Sequence, residues 1–230
     1  VGVEYNEIKC GICGHRKYAY ATNILSYDKV EITANENTIN GDLRIPDKIN
    51  GRNVVKIANG VFRNQNISNL VLPSGLLEIG DQAFLGCSEM QTRLPNSITT
   101  IGSSSFESCE NLDAALPSSL TMLGDSAFES CTALKTVNMP SGVTIIKDAT
   151  FKFCSALTRV ILPSTLTRIE DDAFFATAIK SVDIPSSVTY IGTCAFSLCE
   201  MESVDFKSNG NLQEIGVSAF NCCLKLKGGI

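Results

Sequence analysis

The residues best able to do chemistry in this chain are its ten cysteines. Six of them lie three residues after a phenylalanine, and two form a C-x-x-C pair, Cys10 and Cys13, close to His15. Thiols at C-x-x-C spacing are typical of zinc sites and of redox-active disulfides. A thiol that recurs three residues after an aromatic ring is either a reactive group presented many times or a packing unit. The elements that must position these cysteines decide between the two interpretations.

The phenylalanines that precede these cysteines belong to a series of eight that recurs with a nearly constant period. Consecutive ones are 22 to 24 residues apart, and each follows an isoleucine or leucine by five positions. From Pro73 onward, every proline lies eleven residues before the next phenylalanine of the series. The series is Phe62, Phe84, Phe106, Phe128, Phe151, Phe174, Phe196 and Phe220. A period of this length predicts a solenoid built from leucine-rich coils.

Each repeat predicts a short strand followed by a compact return. The V-x-L before each proline alternates inward and outward as a strand does, and proline suits the end of a strand. The segment that carries Phe-x-x-Cys, for example 124–131, is short and polar, so we expect a single turn of α- or 3₁₀-helix there. Threonines four residues after the prolines favour a second short strand in each coil. The predicted fold class is an α/β solenoid, a right-handed coil with a parallel β-sheet on its concave face and short 3₁₀/α turns on its convex side.

The repeat unit, V-x-L-P-S-S-L-T-x-I-G-x-x-A-F-x-x-C-x-x-L, resembles the BspA-like leucine-rich repeats of bacterial and protist surface proteins. The resemblance covers about residues 43–230, which predicts a solenoid of about eight repeats there and an N-terminal cap or irregular region over 1–42. The first repeat is longer, since sixteen residues separate Pro46 from Phe62. The resemblance implies a non-catalytic interaction or adhesion module, secreted or at the cell surface, whose partner is a protein such as a host matrix or plasma protein.

The repeated cysteines are predicted to be structural. Residues i and i+3 share a face of a helical turn, so each phenylalanine and its cysteine point together toward the interior. Two repeats carry Gln65 and Thr177 at the cysteine position, and a catalytic group is not needed once per coil. We therefore expect buried, free thiols, although a bridge between Cys194 and Cys222 remains an alternative. The predicted packing column is Cys87, Cys109, Cys131, Cys154, Cys199 and Cys223.

Catalysis and metal binding find little support in the sequence. A structural zinc site needs four ligands, and the chain has neither a second C-x-x-C nor a second histidine beside Cys10, Cys13 and His15. That cluster is retained as an alternative thiol or zinc site. Because the one histidine lies outside the repeats, a Ser or Cys nucleophile within them would lack a histidine base. We therefore predict that the protein is not an enzyme and needs no cofactor.

The outward positions of the V-x-L strands supply the candidate binding residues. Solenoids bind partners on a concave sheet face, where many coils meet one surface. The candidates on this face are Arg93, Asn138, Arg159, Ile161, Asp183 and Asp205.

Composition narrows the kinds of partner. A net charge of −5 argues against nucleic acid, and no apolar run reaches the length of a membrane span. No signal peptide begins this chain, since no basic start is followed by an apolar stretch. Two further hypotheses are a structural spacer within a larger protein and end-to-end self-association through the last repeat, which has no obvious polar cap.

Overall fold

The computed structural model describes residues 4–9, 17–35, 38–207 and 210–226, with side chains from Tyr20 onward. No helix in these ranges is long and apolar enough to cross a membrane. Nineteen strands follow one another within the described residues. They are β1 (Glu4–Lys9), β2 (Lys17–Ser26), β3 (Lys29–Asn35), β4 (Asn40–Arg44), β5 (Lys48–Ile49), β6 (Arg52–Ile57), β7 (Asn66–Val71), β8 (Glu78–Ile79), β9 (Gln91–Thr92), β10 (Thr100–Ile101), β11 (Met122–Leu123), β12 (Thr136–Asn138), β13 (Ile145–Ile146), β14 (Arg159–Ile161), β15 (Arg168–Ile169), β16 (Ser181–Ile184), β17 (Tyr190–Ile191), β18 (Ser203–Phe206) and β19 (Glu214–Ile215).

The repeats form a parallel-strand β-solenoid of the leucine-rich repeat type. We number its coils 1 to 8 by their phenylalanines, from Phe62 to Phe220. The strands of the V-x-L segments pair in parallel as β4–β7–β9, β12–β14 and β16–β18. The predicted second strand of each coil ends at the isoleucine or leucine five residues before the phenylalanine. These strands pair as β6–β8–β10–β11 and β13–β15–β17–β19.

The predicted helical turns are not confirmed, because the described residues contain no helix. Instead, the residues two before and two after each repeat phenylalanine have positive φ, as at Gln82 (55°) and Gly86 (73°) beside Phe84. A left-handed residue at every fourth position stops a right-handed helix from propagating. The N–H groups of Gln82, Phe84 and Gly86 donate to carbonyls of the next coil at 2.8–2.9 Å. The turns therefore bond from coil to coil, and the α/β description is replaced by an all-β one for the described chain.

A single file of stacked phenylalanine rings runs through the hydrophobic core. Seven of the eight repeat phenylalanines have no exposed surface, and Phe220 in the last coil is partly exposed. Neighbouring rings lie 5.1–5.7 Å apart between centroids and are within 19° of parallel. The residue directly before each phenylalanine in the sequence is mostly small, such as Ala83 and Ala127, which are fully buried. The alignment confirms the register that the 22-residue period predicts.

The two ends of this file differ in how far they are covered. At the N-terminal end, β1, β2 and β3 form an antiparallel sheet that joins the solenoid through parallel pairing of β3 with β6. The buried ring of Tyr20 in β2 lies edge-on to Phe62 at 6.0 Å. In the last coil, Ile215 is 41% exposed, Val217 77% and Leu224 93%. The division into residues 1–42 and 43–230 remains a prediction.

Candidate functional site

The six repeat cysteines bind neighbouring coils together rather than forming a reactive site. Each Sγ donates to the carbonyl oxygen of the phenylalanine in the preceding coil, at 3.1–3.2 Å. Burial raises the pKa of Cys87 and Cys199 to about 11 and that of Cys154 to about 12. The thiolate is the reactive form of cysteine, so these protonated thiols are poor nucleophiles at neutral pH. Packing is the correct interpretation of the column.

The remaining cysteines fall into two groups. Cys194 and Cys222 are free thiols that occupy different columns, two residues before Phe196 and two after Phe220. Cys194 is partly buried and Cys222 is exposed, and no bridge joins them. Cys10, Cys13 and His15 lie outside the described residues, so the thiol or zinc alternative remains a prediction. Within the described ranges, no group of three or more His, Cys, Asp or Glu side chains could hold a metal ion.

The predicted binding candidates lie together on one exposed surface, which we call the V-x-L face. It consists of two outward rows of side chains, and every residue of both rows is exposed. The first row contains Val71, Arg93, Ala115, Asn138, Ile161, Asp183 and Asp205, and the second contains Asn69, Gln91, Asp113, Thr136, Arg159, Ser181 and Ser203. Strand register aligns the rows, as in the pairing of Asn138 with Ile161 and of Asp183 with Asp205. All six sequence candidates therefore belong to a single surface.

One hollow on this face is lined in part by Arg93. This open depression has a volume of about 680 Å³, and Asp113 lines it from the segment 113–116 of coil 4, which forms no strand. Its polar lining comes from Asn69, Gln91, Thr92, Arg93, Asn111, Asp113 and Lys135. A polar concavity therefore lies beside the segment where the strand ladder is interrupted. Ala114 and Ala115 stand where other coils have larger side chains, and they line a separate hollow of about 330 Å³ that also contacts Arg93.

Another hollow of about 290 Å³ lies three coils further on. Arg159, Ile161, Ser181 and Asp183 contribute to its lining. Among the described residues, neither Arg93 nor Arg159 has an ion-pair partner, whereas Lys135 pairs with Asp113 at 3.1 Å. Lys207 contacts the carboxylates of both Asp183 and Asp205. The two guanidinium groups are therefore available to an outside partner.

The sequence analysis did not identify two charged residues at this face, Arg44 and Lys207. Arg44 is exposed and pairs in register with Val71, so it extends the first row by one coil. It lies two residues before Pro46, the same offset that identified Arg93 before Pro95, so this signal was present in the sequence. Lys207 falls after the strand segment and has no proline to mark its position. Its ion pairs depend on the course of the chain after β18.

Comparisons with known proteins agree on the fold and the family. No curated protein sequence matches the chain. A leucine-rich cell surface protein from Faecalibacterium prausnitzii is 30% identical with a TM-score of 0.74, and the match covers 88% of this chain and 55% of that one. The chain thus spans little more than half the length of that relative. A leucine-rich repeat protein of T. pallidum, 24% identical with a TM-score of 0.64, shares the fold over 90% of this chain and 88% of its own.

The repeat region itself matches a described family. The profile of the BspA-type leucine-rich repeat region matches six copies over residues 55–178 and 167–228, which is most of the chain. The match includes coils 2 to 8 and hence most of the V-x-L face. The chain belongs to the BspA-type leucine-rich repeat family.

Proposed function

We propose that this chain is a non-catalytic protein-interaction module that binds its partner on the V-x-L face. The observation that carries the proposal is the pair of guanidinium groups, Arg93 and Arg159, each lining a hollow and each without an ion-pair partner in the described chain. Arginine is enriched among the residues that dominate binding at protein interfaces. Leucine-rich repeat domains generally mediate protein interactions, and their fold is typically non-catalytic.

The finer proposal is adhesion at the cell surface or outside the cell. The similar protein of Faecalibacterium prausnitzii is described as a cell surface protein, which supports this location. Buried thiols also suit an oxidising environment, since oxidation follows exposure and thiolate character. The partner would then be an extracellular protein such as a host matrix or plasma protein.

The test is a pull-down from matrix and plasma proteins with a matched pair of variants. Arg93→Glu/Arg159→Glu reverses two charges on the V-x-L face, and Lys29→Glu/Lys48→Glu reverses two exposed charges elsewhere. We expect the wild type and the control to retain the same proteins and the face variant to lose them. Capture by the face variant equal to wild type would contradict binding through this face, and capture of nothing by the wild type would favour the spacer hypothesis.

End-to-end self-association has a specific structural constraint. In the turns each coil donates N–H groups to the next coil, as from Phe196 N to Ala219 O at 2.7 Å. A second chain that stacks on coil 8 in the same direction would continue this pattern. Val217 and Leu224, the exposed apolar side chains of coil 8, support such an association.

A further inference from the structure

The V-x-L face is complementary to itself about coil 5. In the first row, Arg93 lies two coils before Asn138 and Asp183 lies two coils after it. In the second row, Asp113 lies one coil before Thr136 and Arg159 one coil after it. Each row thus carries opposite charges at equal distances on either side of coil 5, at a spacing of about 4.8 Å per coil.

The shape of the face follows the same symmetry. Ala115, one coil before Asn138, lines a hollow of about 330 Å³ together with Ala114 and Arg93. Ile161, one coil after Asn138, is 44% exposed and projects from β14. An apolar projection and a hollow therefore stand at equal distances from coil 5, in the same row.

We propose that the V-x-L face binds a second copy of this chain, face to face, with the order of coils reversed. The two-fold axis runs along the strand direction through coil 5. Arg93 pairs with Asp183 of the second copy, Asp113 pairs with Arg159 of the second copy, and Ile161 enters the hollow beside Ala115. This inference rests on the proposed function, because it names the partner of the same surface.

Electrostatics selects this arrangement over its alternative. A two-fold axis parallel to the solenoid axis would instead keep the order of the coils. Coil 3 would then face coil 3 of the second copy, and Arg93 would lie near Arg93 of the second copy. Like charges that face each other across an interface destabilise it, whereas complementary charges fix the register. The lysines of the same chain do not block these pairings. Lys207 lies 3.6 Å from Asp183, whose side chain remains 72% exposed, and Lys135 lies 3.1 Å from Asp113, whose side chain remains 42% exposed. The reversed order places each guanidinium opposite a carboxylate.

Sedimentation equilibrium of two single variants, alone and mixed, tests the proposal. Arg93→Asp places two aspartates opposite each other at each end of the interface, and Asp183→Arg places two arginines there. We expect each variant alone to raise the dimer dissociation constant about tenfold or more, and added salt to weaken the wild-type dimer. In an equimolar mixture of the two variants, the heterodimer again places a carboxylate opposite a guanidinium at both ends. That heterodimer should therefore be about as strong as the wild-type dimer.

The controls separate this inference from the other modes of association. Val217→Asp adds a charge to the exposed end of coil 8 and should leave the dimer unchanged. Wild-type protein that is monomeric at all concentrations would overturn the proposal. Two other results would also overturn it: a dimer dissociation constant unchanged in both single variants, or a mixture that dissociates as readily as either variant alone. If the protein is monomeric but captures a matrix or plasma protein, the dimer proposal fails and the proposed function stands. If the protein forms the dimer but captures no matrix or plasma protein, the V-x-L face binds a second copy of the chain and no such partner.

Discussion

Replacing one phenylalanine of the stack tests whether the coils are held together by their inner file. The ring of Phe128 is fully buried and stacks on Phe106 at 5.3 Å and on Phe151 at 5.7 Å. Deleting a fully buried phenylalanine costs about 3–5 kcal/mol through lost transfer energy and the cavity left behind. Because the ring has a stacking partner on each side, we expect Phe128→Ala to lower the free energy of unfolding by about 4 kcal/mol or more.

Phe220→Ala is the matched control within the same chain. Its ring is partly exposed and stacks on one repeat phenylalanine, Phe196, at 5.3 Å. Since less buried surface is lost, we expect a cost of about 1–2 kcal/mol.

The assay is urea unfolding followed by far-UV circular dichroism, because the chain contains no tryptophan. The midpoint should fall much further for Phe128→Ala than for Phe220→Ala, with similar dependence on urea. Equal losses for the two variants, or a loss below about 1 kcal/mol for Phe128→Ala, would refute the continuous stack.

Three further changes probe the turns, the thiols and the charges. Ala149 has φ +52°, so Ala149→Gly should stabilise by about 0.5 kcal/mol in thermal unfolding, whereas Ala127→Gly, at a buried position, should destabilise by about 1 kcal/mol. Cys131→Ala should cost about 1–2 kcal/mol in urea unfolding, and Cys222→Ala should stay within about 0.5 kcal/mol, because only Cys131 is buried and hydrogen-bonded. Burial and then the carboxylates of neighbouring coils raise the pKa of Asp148, so its ionisation destabilises the fold. Asp148→Asn should therefore be more stable than wild type at pH 7, and the difference should vanish below about pH 3; a constant difference across this range would contradict that reasoning.

Most of the solenoid was predictable because its residues recur in register. A nearly constant step between phenylalanines forces equivalent side chains into one column. The two strands of most coils follow from V-x-L and from the threonines, although coil 4 lacks the first of them. The burial of Cys131 and its equivalents followed from the same column. Their hydrogen bonds to the preceding coil did not, because the direction of a carbonyl depends on the turn conformation.

The turns illustrate why local patterns failed in part. Gly60, Gly86 and Asn64 at the left-handed positions are residues that favour positive φ, and they could have indicated tight turns instead of a helical one. Phe153 and Leu198 occupy equivalent left-handed positions at φ 60° and 59° against their own preference. Stacking against neighbouring coils overrides local propensity there. The hollow that Ala114 and Ala115 line beside Arg93 was likewise unpredictable, since it adjoins a strand that coil 4 does not form.

Thiol labelling resolved residue by residue tests the central claim most directly. Native protein is treated with iodoacetamide, and each cysteine is then read by peptide mass spectrometry, with denatured protein as the reference for full labelling. Cys222 is exposed and lies outside the packing column, so we predict that it is labelled rapidly. Cys109, Cys131 and Cys154 are fully buried in the column, so we predict that they stay protected until the protein unfolds. Labelling of those three in the native protein as fast as Cys222 would contradict a solenoid closed around its own thiols.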